Sequence, residues 1–181
     1  MDTKELGSQL ARLIEATVNP QSMDDIGSTL GQRCRNIFLE YIALLLWIAT
    51  KESSIVLPKE YAQTTSNAIF SAIFLLLEEA GIKKRVCDFN AQAFESFIHD
   101  RFETYYRAWR AFPIDDIELS EANVAHNFIV LCLTDEEDLT KAGEEYRKLF
   151  PKPADYITHL KCVLHHYRQF VERVKSVLSR F

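Results

Sequence analysis

Near the end of the chain, Ile157, Leu160, Leu164, Tyr167, Val171, Val174, Leu178 and Phe181 alternate steps of three and four without a break. A seven-residue period of this kind can be satisfied only by an α-helix, because side chains on a strand repeat every second residue. Tyr156, Val163, Phe170 and Val177 widen the stripe to three positions in seven. That width suits a helix packed in a bundle better than one strand of a two-stranded coiled coil. Pro153 is well placed to open the helix. With about 28 residues at ~1.5 Å each, the rod is about 42 Å long. It can overhang a domain of this size, and a second copy of the chain is the simplest cover for the overhang. The pattern therefore predicts self-association as a homodimer. Leu164 and Val171 on the stripe, with Arg168 and Lys175 beside it, are the candidate interaction residues.

The remaining helices are spaced along the chain. The first is expected over 3–18, with Leu6, Leu10, Leu13, Ile14 and Val18 on one face and Asn19-Pro20 as its stop. A linker or loose turn is expected over 21–27. The second helix, 28–50, is apolar nearly all round from Ile37 onward, the mark of a helix buried on several sides. The third, 58–80, repeats that character from Ala68 to Leu77, so these two are expected to form the buried centre. The fourth runs over 90–112, its stripe carried by Phe94, Ile98, Phe102, Tyr105 and Trp109. A fifth follows Ser120 and ends near Leu133, with Val124 and Phe128 directed into the core. Thr134 and Glu137 form a capping box that opens a sixth, ending at Phe150-Pro151. The expected fold is an all-α, single-domain helical bundle spanning 1–181, with six or seven helices. Residues 1–27 form an N-terminal helix and linker, and 153–181 form the long C-terminal helix.

Composition narrows the function classes. The chain of 181 residues is 48% hydrophobic and 26% charged, ordinary values for a globular protein, with a net charge of −5. The acidic balance argues against a nucleic-acid partner and against an anionic membrane surface. The longest uncharged apolar run, Tyr41 to Ala49, is far short of a membrane span of ~20 residues. Met1 to Glu5 lack the basic and then apolar run of a signal peptide. Cys34, Cys87, Cys132 and Cys162 form no C-x-x-C pair, so free thiols and a cytoplasmic location are expected. No glycine-rich phosphate loop and no nucleophile elbow is present, which leans against an enzyme.

Several polar residues stand out as candidates. Glu95, His99, Glu103 and Arg107 follow one another at i, i+4, a spacing that lets Glu95 and His99 share a metal ion. The same spacing also makes an exposed ladder of weak ion pairs. His126 could join them if the helices converge; otherwise it is a hydrogen-bonded structural histidine. His159, Cys162, His165 and His166 crowd the last helix, but His159 and His166 lie two turns apart, too far to bind one ion directly. Glu40 interrupts the apolar second helix. It continues a polar edge from Arg33 and Asn36 through Ala43 and Trp47, so partial exposure is expected. The run from Tyr105 to Arg110 can be drawn as a base-stacking platform, yet its spacing places Tyr105 and Trp109 in the core. Residues 115–145 carry ten acids against Lys141, a local net of −9, while 161–180 carry a net of +4. The two regions can attract each other, or the acidic one can meet a basic protein.

Taken together, these features lead to a non-enzymatic cytoplasmic protein–protein interaction or regulatory module, homodimeric and without a cofactor. The alternative is a helical-bundle enzyme or sensor with an interior metal or small-ligand site anchored by Glu95, His99 and His126.

Overall fold

A computed structural model describes residues 2–30, 37–79, 91–113, 115–133 and 152–181, with positions 144 and 147. Its described elements are α1 (Thr3–Thr17), α2 (Pro20–Leu30), α3 (Ile37–Val56), α4 (Lys59–Glu79), α5 (Ala91–Trp109), α6 (Ile117–Leu133) and α7 (Pro153–Leu178). The fold is an all-α helical bundle, with no strand among the described residues. The helix expected over 135–150, and Cys34, Cys87, Arg33 and Asn36, lie outside the described residues.

Three boundaries differ from expectation for identifiable reasons. Asn19-Pro20 does end α1, but it also begins α2. The Asn19 side chain accepts a hydrogen bond from the Ser22 backbone N–H at 3.0 Å, and proline fits the first helical position. The expected linker over 21–27 is therefore helical, and Ile26 is in the core. α3 continues past Thr50 to Val56, because Lys51, Glu52 and Ser53 are buried despite their polarity. α6 starts at Ile117 and not after Ser120. Asp116 caps it by accepting from the Leu119 N–H at 3.2 Å.

The core is one apolar cluster that takes residues from every described helix. α3 is its centre and packs against each of the other six. From Leu39 to Ser53 only Thr50 escapes full burial. α4 is less central than its apolar sequence suggests: Ile69 and Ile73 face inward, while Leu75 is exposed. It packs instead against α1, where Gly7 permits a close approach. A Cβ on Gly7 would stand 2.5 Å from that of Ala68, so any larger residue would push the two helices apart. Val124 and Phe128 are fully buried, as their spacing on α6 required.

α7 lies along the bundle and contacts α1, α2, α3 and α6. Val163, Tyr167, Phe170, Val171, Val174 and Leu178 are all buried by helices of the same chain. Most of the heptad stripe is thus filled within the chain between Val163 and Leu178, with Leu164 and Val177 half-buried. Ile157 near the start of α7 and Phe181 beyond its end are the exceptions, at 47% and 38% exposure.

Candidate functional sites

α3 and α5 run in the same direction, which brings their C-terminal ends together. Glu40 near the start of α3 meets Arg101, and Lys51 near its end meets Trp109 of α5. α6 begins at this same end: the Asn123 side-chain amide donates to the Ala108 carbonyl at 2.8 Å. The α3–α4 and α5–α6 turns therefore share one end of the bundle. That end carries Ile55, Val56 and Tyr61 from the first turn, and Phe112, Ile117 and Leu119 from the second. All six are exposed, Ile55 at 67%, Ile117 at 55% and Val56 at 53%. Isolated surface hydrophobics are ordinary, but a concentration of them on adjoining turns is the usual mark of a binding surface. Exposed Lys59, Glu60, Arg110 and Asp115 lie among them in the same two segments.

Behind this end lies a buried charged group. The Lys51 ammonium stands 3.6 Å from the centre of the Trp109 ring, with Trp47 and Tyr167 farther round it. It pairs with Glu52 at 2.8 Å and donates to the Tyr167 hydroxyl at 3.3 Å. An ammonium removed from water needs such partners, and the ring faces supply what the single carboxylate does not. Trp47 and Lys51 stand at i, i+4 on α3, which is how the sequence puts one over the other. Burial pushes the Tyr167 phenol up, and the charges of Glu121 and Glu52 add to that.

A second ion pair ties α3 to α5 nearer the other end. Glu40 is only 2% exposed, and its carboxylate accepts from the Arg101 guanidinium at 2.7–2.9 Å. Among the described residues the expected polar edge is absent: Glu40, Ala43 and Trp47 are all buried. Arg101 is what makes a buried Glu40 tolerable. Burial alone would lower the guanidinium, but the hydrogen bonds and charge of Glu40 outweigh it, and its pKa is raised.

The residues offered as metal ligands do not form one site. Glu95 and His99 of α5 line a cleft beside α4, whereas His126 of α6 faces α7, its Nδ1 3.3 Å from the Tyr156 hydroxyl. Among the described residues, no three His, Cys, Asp or Glu side chains converge. His99 lies 3.9 Å from Asp100, and Arg107 pairs with Glu103 at 3.4 Å, so this part of α5 carries weak exposed pairs. His126 is lowered by burial and by the charge of Arg147. Burial likewise lowers His159, opposed by Asp155, and His166, opposed by Asp25 and reinforced by His165. The Cys162 thiol contacts the Asp25 carbonyl of α2 at 3.9 Å, so α2 covers part of the face expected to be solvated or held by a partner. Cys162 is a free thiol, and Cys132 is buried in the core.

The candidate interaction residues of α7 are placed as follows. Val171 is 7% exposed and part of the core, and Leu164 is half-buried. Arg168 pairs with Glu121 of α6 at 2.7 Å, which joins the basic helix to the acidic region within the chain. Lys175 lies 3.6 Å from Glu172 on its own helix. Tyr105 is buried as its spacing required, and Tyr106 is half-buried against Trp47.

The cleft that takes in Glu95 and His99 has a volume of about 570 Å³. Its walls are the stripe Gln63, Ser66, Asn67, Phe70 and Ser71 on α4 and the stripe Glu95, Ile98, His99 and Phe102 on α5. Both step by three and four residues, so each is one helical face. Beside the cleft, Phe94 packs on Phe70 and Phe74 at 5.3 and 5.9 Å. Sequence reasoning found the α5 stripe and missed its counterpart. The polar spacing of Gln63, Ser66, Asn67 and Ser71 within an otherwise apolar helix was the available signal.

Compared with known protein families, with characterised proteins and with solved structures, the chain matches none of them. Among the described residues, no helix is long and apolar enough to cross a membrane.

Proposed function

We propose that this chain is a non-enzymatic protein–protein interaction module that pairs with a second copy of itself through the end of the bundle formed by the α3–α4 and α5–α6 turns. The observation that carries this is the set of six exposed apolar side chains on those two turns. A two-fold interface must be self-complementary. This end offers apolar side chains together with charges of both signs, Lys59 and Arg110 against Glu60 and Asp115, so it can face its own copy without like-charge conflict. α7 contributes indirectly, by completing the core that holds the two turns in place. A regulatory role in the cytoplasm is proposed with it, supported by the free Cys162 thiol, which suits a reducing compartment.

Cross-linking of a mixture of isotopically light and heavy chains tests which surface is used. Links between the Lys59 side chains of two chains are expected. Interchain links confined to Lys161 and Lys175 of α7 would place the contact elsewhere and overturn the proposal.

A further inference from the structure

We infer that the cleft between α4 and α5 is a binding site for a small organic amine with an apolar, preferably aromatic, body. This inference is independent of the self-association proposed above, because none of the six exposed apolar residues of that end lines the cleft.

Three observations lead to it. The first is size and shape. Small-molecule sites commonly enclose ~300–1,000 Å³, and this cleft of about 570 Å³ falls within that range. α4 and α5 both pack on α3 and meet each other through Phe94 against Phe70 and Phe74, while the short side chains of Ser66 and Ser71 leave the space beside that contact unfilled. The second is the floor. Leu46 and Ile98 are buried, and Phe70 and Phe102 are partly buried, so an apolar body entering the cleft meets aliphatic and aromatic surface and gives up its own contact with water.

The third is charge. Among the described residues that line the cleft there is no lysine or arginine, while Glu95 is a carboxylate and His99 is followed by Asp100. The nearby cations are engaged elsewhere: Arg101 by Glu40, and Arg107 by Glu103. The polar wall also presents acceptors. Gln63 donates its amide to Asn67 at 3.1 Å, which leaves the Gln63 carbonyl for a ligand. Ser66 donates its hydroxyl proton to the Ala62 carbonyl at 2.8 Å, so its oxygen is left to accept. An ammonium group brings only donors and a positive charge, and an aromatic ring face attracts it as well. A carboxylate of the same size would face the like charge of Glu95 with no lysine or arginine in the lining to offset it, so the lining selects against it.

The matched pair 4-phenylbutylamine and 4-phenylbutyrate tests this, because the two share a body and differ in the sign of the head group. Each is titrated into the full-length, isotopically labelled protein while backbone amide resonances are followed. The amine is expected to shift Ser66, Asn67, Ser71 and His99 in a saturable manner, and to bind at least about tenfold more tightly than the acid. Glu95→Gln should weaken the amine by about five- to tenfold and leave the acid unchanged or slightly improved. Ser71→Phe, which fills the cleft, should abolish binding of both while the remaining spectrum stays folded. Equal binding of the two probes, or an amine affinity indifferent to Glu95→Gln, would overturn the assignment of an amine ligand. Failure of both probes to shift any cleft residue would overturn the cleft as a binding site.

Discussion

α7 and the apolar end of the bundle are both rich in large hydrophobic side chains, and the chain treats them in opposite ways. On α7, Val163, Tyr167, Phe170, Val174 and Leu178 recur with helical period and disappear into the core. On the two turns, Ile55, Val56, Phe112, Ile117 and Leu119 follow no period and stay in water. A periodic stripe extends along a helix, so a neighbouring helix of the same chain can cover its length. A cluster at the mouths of two turns has, among the described residues, no helix lying over it. The strongest pattern in the sequence therefore marks internal packing, and the weaker, aperiodic one marks the exposed surface proposed above for self-association.

Substitution at the two regions should separate them sharply. Val174→Asp puts a charge into the closed core, and Phe170→Ala leaves a cavity costing ~3–5 kcal/mol. Chemical denaturation should show the first as loss of the folded state and the second as a large fall in midpoint. Ile55→Asp on the exposed turn should stay within about 0.5 kcal/mol of the parent. Equal effects at the two places would break the distinction. Arg101→Ala ranks next among interior changes, because it strands the buried Glu40 carboxylate, at ~3 kcal/mol or more. Arg101→Met combined with Glu40→Leu should recover most of that loss.

Acid should act on the α7 side. His126 of α6 faces Tyr156 of α7, His159 and His166 lie on α7 itself, and burial lowers all three. The folded protein then binds fewer protons than the unfolded chain once pH falls below the ordinary histidine value of ~6.5. Stability should therefore decline as pH drops from 7 towards 5, and thermal melts should show it. Replacing the three with Gln should flatten that slope.

Smaller effects should follow the partnering of individual groups. The Tyr105 hydroxyl is buried with no hydrogen-bond partner among the described residues, so Tyr105→Phe should raise stability by about 1 kcal/mol. Arg168→Ala removes a pair whose arginine is half in solvent, and should cost ~0.2–1 kcal/mol in the same denaturation assay.

Much of the fold can be read from residue spacing, because burial of a helix face leaves a periodic trace. The stripe of α7, the buried α3, and Val124 and Phe128 on α6 all follow this logic. What spacing does not carry is pairing between helices. Glu40 resembles an exposed edge residue until Arg101 is placed against it, 61 positions away in sequence. Lys51 and Glu52 resemble the solvated end of a helix until Trp109 and Tyr167 close over them. Asn19-Pro20 carries a double signal, a stop for one helix and a start for the next, and the spacing of α1 alone points only to the stop. Glu95 and His99 were found as a spacing. That they face Ser66 and Asn67 depends on how α4 and α5 lie over α3, which no single helix encodes.

Sedimentation velocity across a concentration series is the most direct test of self-association through the apolar end. It should compare the parent chain with the double variant Ile55→Asp/Ile117→Asp and with Ile157→Asp, an exposed apolar position on α7. A dimer for the parent and for Ile157→Asp, and a folded monomer for the double variant, is the predicted result. A parent chain that stays monomeric at high concentration, or a dimer that Ile157→Asp dissolves and the double variant does not, would contradict it.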